Sequence, residues 1–110
     1  MITSVKDVVT LIQAAEIPVT QMMWYPSQAP EMPYAVLVPA RTDNVFSDDA
    51  IRMKVTPYLI ELYQKQRSIP DELKLEGVLD AAGITWNRYH TTMQDDGVIL
   101  AVYQVLLEEK

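Results

Sequence analysis

A nearly unbroken apolar run near the end of the chain limits the possible folds more than any other feature. It follows a polar turn at residues 94–97 and occupies both alternating sets of positions of a strand over residues 98–107. One set is Val98, Leu100, Val102 and Leu106, and the other is Ile99, Ala101, Tyr103, Val105 and Leu107. An antiparallel strand with one solvated face alternates apolar and polar residues. We therefore expect this strand to be covered on both faces.

Length and charge exclude several classes of protein. At 110 residues the chain is expected to form a single domain spanning residues 1–110. It has no cysteine, which excludes disulfides and thiolate metal sites. A net charge of −6 disfavours specific nucleic-acid binding, because that affinity comes from Lys and Arg displacing counterions. The N-terminus lacks a signal-peptide pattern, and no apolar run approaches the ~20 residues that span a bilayer. We expect no membrane partner and synthesis in a cytoplasm.

Two helices are predicted from capping patterns and helical spacing of apolar residues. Ser4 and Asp7 form a capping-box pattern ahead of a helix over residues 5–16, which ends before Pro18. A similar pattern at residues 68–71 precedes a second helix that ends at Gly83. Gly77 lies inside this second helix, where it lowers helix stability. Close approach of the helix to the sheet would explain the glycine.

Five segments read as strands. They cover residues 19–25, 34–38, 51–63, 84–92 and 98–108, and an Asp-Gly turn joins the last two as a hairpin. The alternating apolar positions shift by one residue after Pro57, which predicts a bulge or a break there. The order α-β-β-β-α-β-β indicates an α+β fold with two helices packed on one mostly antiparallel sheet of about five strands.

Two helices can cover one face of such a sheet but hardly both. The second face then needs another chain, or it exposes a larger apolar patch than soluble monomers usually carry. This argument favours oligomerisation and makes Trp24, Tyr103 and Val105 candidate interface residues. The alternative is that long loops of the same chain fold over the second face.

No constellation in the sequence indicates catalysis or metal binding. His90 is the only histidine and lacks the partners that a metal site or a catalytic site needs. Asp95 and Asp96 precede Gly97 and read as turn residues. The acidic residues near position 45 do not match the spacing of a calcium-binding loop. We therefore expect no enzymatic activity, no catalytic residue, no cofactor and no metal.

A polar loop predicted at residues 41–49 contains one aromatic side chain, Phe46. Such an aromatic either anchors the loop on its own domain or inserts into a neighbour. Its acidic surroundings could pair with a basic partner or line a passage that repels DNA phosphates. The candidate interface residues in this loop are Asp43, Asn44, Phe46, Asp48 and Asp49.

The order and spacing of several short motifs resemble the tail-completion, or tail-terminator, proteins of long-tailed bacteriophages and prophages. The resemblance covers most of the chain. It is carried by an N-terminal helix, the loop at residues 44–49, a second helix with Glu72 and Glu76, and the motifs Pro33-Tyr34, Ile60-Glu61-Leu62-Tyr63 and Tyr103-Gln104-Val105.

The resemblance implies a structural virion protein of the tail or neck. Such proteins form a ring, commonly a hexamer, which caps the tail tube, ends its polymerisation and provides the docking face for the head. The implied partners are further copies of the chain, the tail-tube protein and a head-completion or connector protein, with DNA passing through the ring. The alternatives are another neck component, such as a head-closure or tube-like protein, and a small cytoplasmic module that binds a peptide at a sheet edge.

Overall fold

A computed structural model of the chain describes residues 4–24, 27–40 and 54–109. The described part contains two helices and one sheet of five strands, in the predicted order α-β-β-β-α-β-β. The predicted α+β class is thereby confirmed. The elements are α1 (Val5–Ala14), β1 (Val19–Gln21), β2 (Tyr34–Pro39), β3 (Lys54–Gln64), α2 (Ile69–Ala81), β4 (Thr85–Met93) and β5 (Ile99–Glu109).

The sheet has the spatial order β1-β2-β3-β5-β4. β1 pairs with β2 in parallel, and the other three pairs are antiparallel. The long strands β3 and β5 lie at the centre, and β4 forms one edge. A register shift interrupts the β4–β5 ladder between Arg88 and His90.

Helix α1 starts as its sequence predicts. The Ser4 hydroxyl accepts from the Asp7 amide at 3.2 Å, and the Asp7 carboxylate accepts from the Ser4 amide at 3.2 Å. The helix ends at Ala14, two residues before the predicted end, and Glu16 adopts a positive φ of 63°. Neither described helix is long and apolar enough to cross a membrane.

β1 is much shorter than predicted. The strand stops at Gln21 because Met22 adopts φ 72°, which turns the chain out of the extended region. The Met23 amide then donates back to the Gln21 carbonyl at 2.9 Å. The prediction that residues 22–24 continue the strand is wrong, and Trp24 leaves the sheet.

The predicted bulge or break at Pro57 is also wrong. β3 runs without a register shift through Pro57, which lies opposite Leu106 of β5. The Pro57 carbonyl accepts from the Ala40 amide at 3.1 Å, just beyond the end of β2. The side of Pro57 that lacks an N–H therefore faces the end of the β2 ladder, where a proline is tolerated.

Helix α2 has the predicted end, but only half of the predicted capping box is present, because the Ser68 amide donates to Gln64 Oε1 at 2.7 Å and not to Asp71. The Ser68 hydroxyl accepts from the Asp71 amide at 3.4 Å. At the other end Gly83 has φ +73°, and the Ile84 amide donates to the Leu79 carbonyl at 3.0 Å. The explanation offered for Gly77 is wrong, because this residue is exposed and no heavy atom lies within 4 Å of the position of an added Cβ.

The terminal hairpin is confirmed. Gly97 takes φ +86°, which glycine adopts without steric cost, and the Gln94 amide donates to the Val98 carbonyl at 2.8 Å. The Asp96 carboxylate adds a bond from the Val98 amide at 3.1 Å. These local contacts join β4 and β5 in antiparallel register.

Both helices pack on the same face of the sheet and bury one apolar cluster with it. The sheet contributes alternate residues of β2, β3 and β5. The fully or nearly fully buried members of the cluster are Val8, Ile12, Ile17, Val19, Ala35, Leu37, Ile60, Leu62, Leu75, Leu79, Ile84, Ala101, Tyr103, Val105 and Leu107.

Candidate functional site

The structure separates the two faces of β5, which the sequence could not do. Tyr103 and Val105 point towards the helices and are completely buried in the chain's own core. They therefore offer no accessible surface to a partner in this conformation, and their selection as interface residues needs correction. The physical reason is that the helices cover the side of β5 that carries these residues.

The opposite face of the sheet carries a second set of apolar residues. Val36 and Val102 lie in one row across β2, β3 and β5, and Leu100 lies in the next row. These three side chains are at most 9% exposed although they lie outside the helix-side cluster. This cover comes from the chain itself, and one contributor is Trp24, which packs edge-on against Tyr34 of β2 at a centroid distance of 6.1 Å.

A cleft on this second face is the first candidate interaction site. We call it the aromatic cleft; its volume is about 290 Å³. The Tyr34 and Tyr63 rings stack at 5.2 Å on its floor, because the two residues are direct partners in the β2–β3 ladder. A second cleft of about 260 Å³ adjoins it and shares the walls formed by residues 22–24. The aromatic cleft is lined by Met22, Met23, Trp24, Ala29, Tyr34, Val36, Glu61 and Tyr63.

Exposed apolar side chains form the rim of the aromatic cleft. Met22 is 62% exposed and Met23 is 58% exposed. Flexible, polarisable methionines at a surface adapt to the shape of a partner. The Trp24 indole Nε1 is buried and has no hydrogen-bond acceptor among the residues that the structure describes. This rim resembles the apolar centre of a protein interface more than ordinary solvated surface.

Among the described residues that line the aromatic cleft, Glu61 is the only charged one. Its carboxylate accepts a hydrogen bond from the Tyr63 hydroxyl at 3.2 Å. Burial, followed by the neighbouring Glu61 carboxylate, raises the pKa of Tyr63 to about 12. No cation pairs with Glu61 among the described residues. The cleft therefore combines an apolar, aromatic surface with one negative charge.

A second candidate surface is the side of α2 that points away from the sheet, which we call the outer face of α2. Ile69 is 48% exposed and Leu73 is 59% exposed. A solvated helix normally carries polar residues on the side away from the core. On this side α2 instead carries apolar and small residues together with one cation and one carboxylate; its exposed members are Ile69, Pro70, Leu73, Lys74, Gly77, Asp80 and Ala81.

The inner side of α2 carries a cluster of charged and polar groups. Glu72 is completely buried and lies in the first turn of the helix. Its carboxylate accepts from Gln64 Nε2 at 3.1 Å and forms ion pairs with Arg67 at 3.3 Å and Arg88 at 3.1 Å. Gln64 uses its oxygen to accept from the Ser68 amide at 2.7 Å. Every charge that is buried here is thus paired.

The cluster extends to the neighbouring turn of α2 through Glu76. This carboxylate accepts from the Tyr103 hydroxyl at 2.7 Å and forms an ion pair with Arg88. Burial, and then the hydrogen bond to Glu76, raises the pKa of Tyr103 well above its ordinary value. The same carboxylate raises the pKa of Arg88. Through these contacts the cluster joins α2 to β4 and β5.

The remaining predicted positions lie elsewhere. His90 is exposed on β4, opposite Val102, with its ring 5.2 Å from that of Tyr89. The loop candidates Asp43, Asn44, Phe46, Asp48 and Asp49 lie outside the described residues. Within the described ranges, no three His, Asp or Glu side chains form a group that could hold a metal ion.

Sequence reasoning identified Trp24 but missed its neighbours in the aromatic cleft. Glu61, Tyr34 and Tyr63 drew notice only as parts of short motifs. The sequence did contain a signal for them. Glu61 and Tyr63 flank the core residue Leu62 in β3, and successive side chains of a strand point to opposite faces, so both must lie on the face away from the core. The outer face of α2 was also missed, although apolar Ile69 and Leu73 flank Pro70 in the sequence.

Comparison with known proteins adds no assignment to this geometry. No protein-family model matches the chain, and no curated protein matches it.

Proposed function

We propose that this chain is a structural virion protein of the tail-terminator kind. Copies of it associate into a ring on the end of a phage tail tube, stop tube polymerisation and provide a docking face for a head-completion or connector protein. The order of sequence motifs that resemble this family is the first support. The α+β fold, with both helices on one face of a mostly antiparallel sheet, is compatible with such a role.

One observation carries the proposal further than the motifs do. Among the described residues, four of the seven exposed large apolar side chains lie on two surfaces on opposite sides of the sheet, and the other three, Tyr89, Met93 and Leu106, lie on β4 and β5. The aromatic cleft displays Met22 and Met23, and the outer face of α2 displays Ile69 and Leu73. Two different patches on one protomer that are complementary to each other produce head-to-tail association, which closes a ring when the rotation between neighbours allows it.

The charge of the chain is compatible with a ring around a DNA passage. A net charge of −6 provides little affinity for the phosphate backbone. DNA can then slide through the ring without being retained by it. Contacts with the tube protein and the connector would instead use apolar and aromatic surface.

Native mass spectrometry of the purified chain, alone and mixed with the tail-tube protein of the same genome, tests the proposal. We expect a closed oligomer, either of the free chain or upon addition of the tube protein. The resemblance implies a mass that corresponds to six copies. Electron microscopy of tubes polymerised with and without the chain provides the second readout. Tubes should stop growing at shorter lengths when the chain is present.

An unrelated acidic protein of similar size serves as the control and should leave the tube length unchanged. A chain that stays monomeric in both samples and has no influence on tube length would refute the proposed function. A closed oligomer without any effect on the tube would point to a different component of the phage neck.

A second candidate function has one specific observation in its favour. Among the described residues, β4 pairs with β5 alone, so its other edge is available for an added strand. An extended peptide could pair there, as in modules that recognise peptides by strand addition. The register shift near Tyr89 weighs against it, because bulges protect sheet edges from pairing. Chemical-shift changes confined to β4 upon addition of a peptide library would favour this alternative.

A further inference from the structure

The aromatic cleft has the composition of a site that receives an apolar segment with one positive charge. Its floor is the Tyr34–Tyr63 stack, and its rim is formed by exposed methionines. Glu61 is the single charged residue in the part of the lining that the structure describes, and its described partner is the neutral Tyr63 hydroxyl. A partner that brings a cation would satisfy this carboxylate, and its apolar side chains would cover the methionines and rings.

The outer face of α2 offers apolar side chains and one cation, beside the Asp80 carboxylate, which accepts from Trp86 Nε1 at 2.7 Å. Leu73 and Ile69 lie one helical turn apart and are both about half exposed or more. Lys74 is exposed next to Leu73 and forms no ion pair with a described residue. Gly77 lies in the following turn and leaves open space above the backbone. A partner can therefore approach this helix closely.

The two surfaces cannot meet within one chain. Helix α2 packs on the face of the sheet that carries Leu62 and Ala101, whereas Glu61 lies in the row of Val36 and Val102 on the opposite face. Contact between the surfaces requires a second copy. The contact is then head-to-tail, because each copy offers one surface to each neighbour.

We propose that the outer face of α2 of one copy docks into the aromatic cleft of the next copy, with Lys74 paired to Glu61 across the contact. This inference rests on the proposed ring and names the surfaces that build it. Leu73 and Ile69 cover the methionine rim, and an amphipathic helix in an apolar groove is a common mode of protein recognition. The Lys74–Glu61 pair sets the register of the contact, as interfacial charges do.

Charge reversal tests the pair. Lys74→Glu and Glu61→Lys should each weaken self-association by about 10-fold or more, since each places like charges together. The double variant that carries both changes restores a pair of opposite charges and should recover most of the lost affinity of self-association. Lys6→Glu makes the same charge change on exposed α1 and serves as the matched control. Sedimentation velocity measures the association, and circular dichroism verifies that each variant is folded.

Zero-length carbodiimide cross-linking provides a second measurement that does not depend on variants. The reagent joins an amine to a carboxylate in direct contact, so mass spectrometry should find a peptide that links Lys74 to Glu61. Because the two residues lie on opposite faces of the sheet, this link forms between copies. Leu73→Asp should abolish it, whereas Lys6→Glu should leave it unchanged.

The outcomes separate this inference from the proposed function. A ring that forms equally well with Lys74→Glu, Glu61→Lys and Leu73→Asp, with no Lys74–Glu61 link, would refute the docking surfaces and leave the tail-terminator function standing. Shortened tubes without any self-association of the chain would refute both the docking surfaces and the ring, and would leave only the effect on tube length. Weaker self-association of the single variants, together with recovered association of the double variant, supports the contact. This holds whether or not the ring affects tube length.

Discussion

At the scale of single residues, Glu72 shows most clearly how this chain tolerates a buried charge. Its side chain has no exposed surface, yet Gln64, Arg67 and Arg88 all donate to it. The two arginines are each more than one third exposed, so solvent screens their attraction. Gln64 is itself buried, and its side-chain amide donates to the Glu72 carboxylate. The arrangement orients the first turn of α2 against β3 and β4.

We predict that Glu72→Ala lowers the free energy of unfolding by about 3 kcal/mol, because it leaves buried Gln64 without its acceptor and removes the partner of two arginines. Urea denaturation followed by circular dichroism measures this change. Asp71→Ala is the matched control, since it removes a carboxylate from the same helical turn at a more exposed position. If Glu72→Ala lowers the free energy of unfolding no more than Asp71→Ala does, Glu72 does not hold the first turn of α2 against the sheet.

Tyr63 provides a prediction about pH. Its pKa in the folded chain is about 12, against an ordinary value of 10.0, so folding favours the protonated phenol. The corresponding stability is fully present below pH 10 and is lost as the pH rises through 12. Glu61→Gln should lower this pKa but leave it above the ordinary value, because burial is the larger cause.

An NMR titration of the tyrosine rings measures this pKa, and Tyr63→Phe identifies the resonance. If the Tyr63 pKa stays the same in Glu61→Gln, the carboxylate does not act on the phenol. That result would also weaken the description of the aromatic cleft as a site with one negative charge.

At the scale of secondary-structure elements, α2 differs from an ordinary surface helix. Its inner side provides core residues such as Leu75 and Leu79, and its outer face exposes apolar Ile69 and Leu73 beside charged Lys74 and Asp80. In the free chain the outer face contributes little to stability, so its composition is more easily explained by association than by folding.

Replacement by alanine should change the free energy of unfolding in opposite directions at Gly77, inside α2, and at Gly83, in the turn that follows it. Gly77→Ala should raise the free energy of unfolding by about 0.5–1 kcal/mol, because the helix interior favours alanine and nothing obstructs the new methyl group. Gly83→Ala should lower it by about 1 kcal/mol, since Gly83 holds φ +73° at the helix end. Thermal or urea unfolding of both variants measures the pair. A loss of stability in Gly77→Ala would indicate a neighbour above this helix in the free chain.

At the scale of the whole molecule, exposed apolar surface and net negative charge act together. The aromatic cleft and the outer face of α2 favour association with protein surfaces, and the charge of −6 opposes binding to nucleic acid. This combination fits a component that assembles with other proteins around DNA.

We predict that the purified chain does not retain double-stranded DNA even at about 50 mM salt, where counterion release favours binding most strongly. A gel mobility-shift assay measures this, and a basic protein of similar size serves as the positive control. Retention that weakens steeply with added salt would reveal a basic surface and would count against passive passage of DNA.

Local chemistry by itself determined the parts of this fold whose hydrogen bonds span only a few residues. Ser4 and Asp7 cap α1, Gly83 ends α2, and Gly97 turns the terminal hairpin, and all three were predictable from short sequence patterns. The element order and the α+β class followed because apolar periodicity differs between helices and strands.

Only the tertiary structure decided which face of each strand meets the helices. The alternation in β5 defines two sides but does not say which side the helices cover, so the sequence could not assign Tyr103 to the helix side and Val102 to the opposite side. The same holds for Met22, whose turn removes Trp24 from the sheet, and for Glu72, whose partners lie on β3, β4 and the intervening connection. These features depend on contacts between residues that are distant in the sequence, and periodicity within one segment carries no information about its partner in space.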